Sequence, residues 1–155
     1  MQKTIIIIAT VLLTLLSGCA SGPVREPTRD AVTDTNLNGT WIVSRAEFAG
    51  RSLPVPLGIE LQISGNKYRI ASVTNAALPN DRGIIVLLDN ALDTHANRID
   101  IVGEDGPNQG KRFPAIYRLN ARELEICIDL AEQARPTEFV SRDGTLLVRV
   151  SYTRK

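Results

Sequence analysis

The sequence predicts an all-β domain, an eight-stranded antiparallel up-and-down barrel. From Leu37 onwards, short runs of apolar and β-branched residues follow one another, and several alternate strictly between apolar and polar residues. Clusters of turn residues separate these runs, and no convincing helical period is present. Because closure removes exposed strand edges, we expect neighbouring strands to close into a barrel.

The first three strands are predicted from alternation and turn signals. The first covers residues 40–48. Residues 51–58 are not expected to form regular strand, because their two prolines remove hydrogen-bond donors from the ladder. Residues 59–63 alternate strictly, and the tight turn Gly65-Asn66 returns the chain as residues 67–72, so these two strands form a hairpin.

Five further strands complete the predicted barrel. Residues 84–88 are apolar throughout, which suits a strand covered on both faces. Residues 98–102 alternate, with Ile99 and Ile101 on one face. Turn-rich stretches separate the last three strands, which cover residues 113–119, 123–130 and 145–153.

The N-terminus has the order of a secretory signal. A lone cation, Lys3, precedes the uncharged run of residues 5–16. Those twelve residues are too few to span a bilayer core of about 30 Å as a helix. Ser17 and Gly18 are small enough to enter a peptidase groove in extended form, and Cys19 offers a thiol for acylation.

This segment resembles the lipobox of bacterial lipoproteins. The resemblance implies that residues 1–18 are a signal peptide and that the mature chain begins at lipidated Cys19. An ordinary cleaved signal peptide and an uncleaved anchor are the alternatives. Several acyl chains hold a protein on the bilayer stably. Ala20 stands where aspartate would suggest retention at the inner membrane, so the resemblance implies an outer-membrane anchor facing the periplasm.

The rest of the chain divides into a tether and one domain. Residues 19–36 are rich in Gly, Pro, Thr and Asp, which predicts a flexible, disordered tether, whereas residues 37–155 suffice for one core. The chain has 18 basic and 17 acidic residues, so loss of Lys3 with the signal leaves 17 of each. A net charge near zero and few aromatic residues argue against nucleic acid as a partner.

The sequence predicts neither a metal site nor a cofactor. The single histidine, His95, lies in a polar stretch and is expected to be a solvated loop residue. It is therefore a poor base for a Ser or Cys nucleophile, and no catalytic residue is predicted. If Cys19 is lipidated, Cys127 is the remaining thiol, and inside a strand we expect it to be a small buried apolar residue.

The last-but-one strand carries an acidic face. Its apolar face contains Leu124, Ile126, Ile128 and Leu130, and its other face contains Glu123, Glu125, Cys127 and Asp129. The acidic face could serve acid–base chemistry, line a polar cavity or meet water, and we favour a solvated face. Acid–base chemistry would require the carboxylates to point into a cleft with raised pKa values.

Gly39-Thr40-Trp41, at the start of the first strand, resembles the Gly-x-Trp signature of lipocalins. The glycine lets the backbone bend into the barrel, and the indole closes one end of the core. In lipocalins an arginine of the last strand often lies over the indole, a cation–π contact worth about 0.5–2 kcal/mol. The resemblance implies Arg154 for this role, with Arg149 as the second candidate.

A longer series of segments resembles a lipocalin-like domain family of unknown function that is abundant in planctomycetes. The matching segments are residues 37–43, 50–54, 116–119, 124–127 and 135–139. The resemblance covers Leu37 to Arg154 and implies a fold but no activity. The stretch 89–97 departs from the family pattern.

Arg135-Pro136-Thr137-Glu138-Phe139 is the most distinctive pentapeptide of the chain. In a structural interpretation, Pro136 makes a loop rigid, and Arg135 and Glu138 pair or satisfy backbone groups. Phe139 would then plug the barrel end. The alternative is a recognition corner for a partner, and we favour the structural interpretation.

Together these observations predict a membrane-tethered, non-enzymatic, lipocalin-like module of the cell envelope. Its expected partners are the bilayer, through acylated Cys19, and a small apolar ligand inside the barrel, because eight strands leave room for one small ligand at most. If the interior is packed solid, the alternative is a structural or interaction module that docks an envelope protein. An enzyme using the face of Glu123, Glu125 and Asp129 is the third hypothesis.

Overall fold

The computed structural model describes residues 34–55, 58–74, 80–88 and 96–155. Within these residues the chain is all-β and forms a closed antiparallel barrel of eight strands, which confirms the predicted fold class. The signal peptide, Cys19, most of the tether and His95 lie outside the described residues. In the described part of the chain, no helix is long and apolar enough to cross a bilayer.

Eight strands form the barrel wall, and a ninth, β2, is attached to one edge of β1. A 3₁₀ helix over Thr35–Leu37 precedes the strands. The strands are β1 (Gly39–Phe48), β2 (Arg51–Leu53), β3 (Ile59–Ser64), β4 (Lys67–Ser72), β5 (Asp81–Leu88), β6 (Asn97–Asp105), β7 (Arg112–Leu119), β8 (Glu123–Asp129) and β9 (Leu147–Arg154). From β3 to β9 each strand pairs with the next, and pairing of β1 with both β3 and β9 closes the barrel.

Strand β2 corrects the expectation that residues 51–58 contain no regular strand. Its three residues pair with the end of β1, with Phe48 opposite Arg51. Ala49 and Gly50, which join the two strands, have φ values of 49° and 77°. Two positive φ angles are what a two-residue type I′ hairpin turn requires. Pro54 follows directly, so proline ends this strand and does not prevent it.

The barrel has two different ends. The N-terminal segment joins the barrel at what we call the near end, which carries the start of β1, the β7–β8 turn and the end of β9. Tyr117 donates a hydrogen bond to Asp34 there (3.0 Å), so contacts with the barrel begin upstream of Leu37. The far end carries the β6–β7 loop and residues 130–146, which link β8 to β9 and which we call the strap.

Inward-facing side chains fill the barrel. Leu124 and Ile126 of β8 are buried in the interior and Ile128 packs against the same cluster, as expected for the apolar face of this strand. Leu130 lies beyond the strand and is 39% exposed. The buried interior residues are Leu37, Trp41, Leu61, Ile63, Tyr68, Ile85, Ile99, Ala115, Tyr117, Leu124, Ile126 and Tyr152.

The outer face of β8 is largely buried, so the prediction of a solvated acidic face is wrong for two of its three carboxylates, Glu125 and Asp129. Glu125 and Asp129 are 7% and 6% exposed, and Cys127 is fully buried, whereas Glu123 is exposed. The strap lies against this face, and the Cys127 thiol donates to the carbonyl of Val140 at 3.8 Å. Burial raises the pKa of the Cys127 thiol, as expected for a small buried residue without reactivity.

Candidate ligand-binding site

Trp41 closes the near end of the barrel. Its indole is fully buried, and its Nε1 donates to the carbonyl of Leu37 at 2.9 Å. The guanidinium of Arg154 lies 4.1 Å from the ring centroid, so the predicted cation–π contact is present. Arg154 also donates to the carbonyls of Asn36 and Asn38, each at 2.8 Å. These contacts hold the 3₁₀ helix against the near end of the barrel.

Gly39 is needed for this closure. It has a φ of +140°, and a Cβ added to it would lie 2.8 Å from Nη1 of Arg154. A larger residue would therefore strain the backbone and push the arginine away from Trp41. Arg149, the second candidate for the indole, lies instead on the outer wall, where it contacts Glu125.

We expect Arg154→Ala to lower the free energy of unfolding by about 1–2 kcal/mol, because it removes the cation–π contact and two hydrogen bonds to carbonyls. Urea unfolding followed by the fluorescence of Trp41, the single tryptophan, measures the change. Arg122→Ala is the matched control, because Arg122 is exposed at the same end. Equal stability of the two variants would contradict the proposed closure.

An interior cavity of about 80 Å³ lies towards the far end of the barrel. Pockets for drug-sized ligands measure about 300–1,000 Å³, and a water molecule in the liquid takes about 30 Å³. The cavity therefore has room for a group of a few heavy atoms and not for a whole lipid. Its walls are formed by Leu61, Tyr68, Ile70, Asp81, Ile85, Ile101, Asn108, Phe113, Ile126, Ile128, Leu130 and Tyr152.

Asp81 is the charged group of this cavity. It is the first residue of β5 and is 7% exposed. Its Oδ2 accepts hydrogen bonds from the hydroxyl of Tyr68 (3.1 Å) and the amide of Asn108 (2.9 Å). Its Oδ1 is buried and has no hydrogen-bond partner among the described residues. Burial, together with the Asp81 charge, raises the pKa of Tyr68 well above its usual range, so its hydroxyl remains a donor.

Sequence reasoning missed Asp81. The stretch Asn80-Asp81-Arg82-Gly83 has the composition of a turn, and we expected the strand to begin at Ile84. In the structure the strand begins at Asp81. Asp81, Gly83 and Ile85 are buried, whereas Arg82 is exposed. This alternation of buried and exposed residues is the pattern of a strand. It is hard to recognise in the sequence because its first inward residue, Asp81, is a carboxylate where an apolar residue is expected.

The β8 carboxylates do not form one site. Glu125 lies between Arg118 of β7 and Arg149 of β9 and forms ion pairs with both. Glu123 is exposed and accepts a hydrogen bond from the Asn120 amide at 3.2 Å. A groove of about 450 Å³ on the outer wall is lined by these residues among others. Since Glu125 already has two arginine partners, it is poorly suited to acid–base chemistry.

Asp129 begins the strap. Its carboxylate accepts backbone hydrogen bonds from Ala131 (2.9 Å), Gln133 (3.1 Å) and Ala134 (2.9 Å). Burial alone would raise its pKa, but these three hydrogen bonds outweigh burial and lower it below its usual value. The third hypothesis required raised pKa values, so Asp129 does not support it.

Asp129→Asn should therefore destabilise the fold in a pH-dependent way. Because the folded-state pKa lies below the unfolded value of about 3.9, this carboxylate stabilises the fold fully above about pH 5. That contribution is lost as the pH falls through the folded-state pKa. We expect a loss of about 1–2 kcal/mol at pH 7 that shrinks towards pH 3 in urea unfolding.

Asp143→Asn is the control for this pH series, because Asp143 is exposed on the same strap. Its stability should follow that of the unmodified chain at every pH. A stability loss in Asp129→Asn that stays constant from pH 7 to pH 3 would contradict the role assigned to the carboxylate.

The distinctive pentapeptide lies on the strap. Arg135 donates to the backbone carbonyls of Ile99 and Ala115, which face each other on β6 and β7, and forms an ion pair with Asp100. Pro136 is buried. Thus Arg135 satisfies backbone groups, as the structural interpretation expected, and anchors the strap.

Two details of that interpretation are wrong. Glu138 does not pair with Arg135 but with Arg142, at 2.5 Å, and both side chains are 61% exposed. Phe139 does not plug the barrel end; its ring lies on the outer wall, 4.7 Å from the guanidinium of Arg118. Periodicity along single strands cannot show which outer surface a loop will cover.

Within the described part of the chain, no group of three or more His, Cys, Asp and Glu side chains is arranged to hold a metal ion. Comparison of the chain with protein-family models, curated proteins and solved structures finds no match.

Proposed function

We propose that this protein is a lipid-anchored module of the bacterial cell envelope whose lipocalin-like barrel binds a small ligand without chemically changing it. The observation that carries the proposal is the interior cavity of about 80 Å³, whose mainly apolar lining includes Asp81; Oδ1 of this carboxylate has no hydrogen-bond partner among the described residues. The cavity is small, so the predicted apolar ligand must either be very small itself or insert only a terminal group into the cavity. Leu130, which lines the cavity and is 39% exposed, lies at the far end, where such a group could enter.

The proposed anchor is linked to the end of the barrel opposite the cavity. Asp34, where the described chain begins, contacts the near end, where Trp41 and Arg154 close the barrel. A flexible tether from Cys19 of about fifteen residues has a root-mean-square length of roughly 20 Å. The anchor then does not block the far end. Because the tether is short, the barrel stays near the membrane, and its ligand must come close to the membrane surface.

Acyl labelling tests the anchor. Cells that express the full chain and are fed an alkynyl palmitate analogue should yield labelled protein. Cys19→Ser should abolish the label, whereas Cys127→Ser should keep it, because Cys127 is buried under the strap. Absence of label from the unmodified chain, or label retained in Cys19→Ser, would contradict the anchor.

Xenon tests whether the cavity can take a ligand. Apolar protein cavities bind xenon, which reports on their accessibility. Under xenon pressure, we expect ¹H–¹⁵N shift changes centred on the cavity-lining residues of β4, β5 and β8. Ile101→Phe should fill the space and abolish these changes. If the unmodified chain shows no such changes, its interior is closed and the binding function fails.

A packed barrel that docks an envelope protein is the second candidate. Its support is the exposure of three apolar side chains on the strap side of the far end. Leu130, Val140 and Leu146 are 39%, 41% and 50% exposed. A closed interior in the xenon experiment would favour this candidate.

A further inference from the structure

We propose that the cavity selects a protonated amine on a short aliphatic chain; this inference rests on the proposed ligand-binding function and names its ligand class. It starts from the charge balance at Asp81. Asp81 takes part in no ion pair among the described residues. Residues 75–79, which precede Asn80 and Asp81 in the sequence, lie outside the described residues and read Asn-Ala-Ala-Leu-Pro, without a cationic side chain.

The hydrogen bonds at Asp81 require the ligand to be a donor. An ionised carboxylate only accepts hydrogen bonds. Tyr68 and Asn108 both donate to Oδ2, whereas Oδ1 is buried and has no hydrogen-bond partner among the described residues. A buried acceptor without a partner is costly, and a buried unpaired charge is more so. A ligand that brings an N–H and a positive charge would remove both costs.

The remaining walls suit the rest of an alkylammonium ion. The rings of Tyr68, Phe113 and Tyr152 line the cavity, and aromatic faces attract cations. The aliphatic walls, which include Ile70 and Ile126, suit methylene groups. The site thus offers one anionic acceptor within an aromatic and aliphatic enclosure.

Other cationic groups fit less well. A quaternary ammonium has no N–H and would leave Oδ1 of Asp81 without a hydrogen bond. A guanidinium carries five N–H donors against three in a primary ammonium, so it would leave more donors without acceptors among the apolar walls. The volume of about 80 Å³ also favours a group of few heavy atoms. A protonated amine is the cationic group that meets these three limits best.

Titration of the purified full-length protein with n-propylammonium chloride tests the proposal. Chemical shifts in ¹H–¹⁵N spectra at constant ionic strength give the dissociation constant. We expect propan-1-ol, which is neutral and of similar size, and tetramethylammonium to bind at least tenfold more weakly. Asp81→Asn should weaken n-propylammonium binding at least tenfold. Asp105→Asn should not, because Asp105 lies exposed on the surface in an ion pair with Arg82 (2.8 Å).

The outcomes separate this inference from the proposed function. If propan-1-ol or tetramethylammonium binds as well as n-propylammonium, the ligand class is wrong and the binding site stands. If xenon and all three probes leave the spectra unchanged, the proposed function fails as well. If Asp81→Asn does not fold, the unmodified chain provides the test. Nuclear Overhauser effects between the methylene groups of n-propylammonium and Tyr68 or Ile126 would show that the probe lies in the cavity. Shifts without such contacts overturn the inference.

Discussion

Gly83→Ala should destabilise the barrel by about 3 kcal/mol or more, the largest effect we expect from a single added methyl group. A Cβ at this position would lie 1.9 Å from the backbone oxygen of Val102 and 2.9 Å from Cε1 of Tyr68. Val102 belongs to β6, which pairs with β5 here, and Tyr68 is buried with its hydroxyl bonded to Asp81. Neither neighbour can move without breaking the sheet or the candidate site.

Gly65→Ala is the matched control. Gly65 has a φ of +61°, but a Cβ added to it would meet no atom within 4 Å. It should therefore cost about 1–2 kcal/mol, from backbone strain alone. Urea unfolding of both variants, monitored by Trp41 fluorescence, gives the comparison. If Gly83→Ala is no less stable than Gly65→Ala, the close packing of β5, β6 and Tyr68 described above is incorrect.

Arg135→Ala should have the second largest effect, a loss of about 2–4 kcal/mol. The substitution leaves the carbonyls of Ile99 and Ala115 without this donor and removes one cation from Asp100, whose side chain is 9% exposed. Asp100 keeps its ion pair with Arg112 (2.6 Å), so the loss should stay below that of a fully unpaired buried charge. Amide hydrogen exchange should also become faster along the strap.

Glu138→Gln on the same strap is the control for this prediction. Since Glu138 and its partner Arg142 are both 61% exposed, their ion pair should contribute less than about 0.5 kcal/mol. Similar stability losses in Arg135→Ala and Glu138→Gln would contradict the anchoring role of Arg135. The pentapeptide therefore combines one structural anchor with one exposed charge.

The fold could be predicted because its signals are local. Alternation along single strands and the Gly65-Asn66 turn suffice to count the barrel strands, and pairing of the first and last strands brings Arg154 to Trp41. Strand β2 was missed because the prolines dominated the interpretation of residues 51–58, although Ala49-Gly50 forms the turn.

The sites could be predicted less well because they depend on neighbouring strands. Glu125 is buried because arginines of β7 and β9 flank it, and no pattern within β8 shows this. Asp81 breaks the rule that inward positions are apolar, so its segment resembled a turn in the sequence. Residues that violate a local pattern in this way deserve examination as possible functional groups.

Native mass spectrometry of the detergent-extracted protein tests the central claim, that the interior cavity binds a small ligand. We predict that the unmodified chain carries a small-molecule adduct and that Ile101→Phe, which should fill the cavity, lacks it. Asp105→Asn should keep the adduct, because Asp105 lies on the surface. Repeated preparations without any adduct, or the same adduct on Ile101→Phe, would contradict the claim.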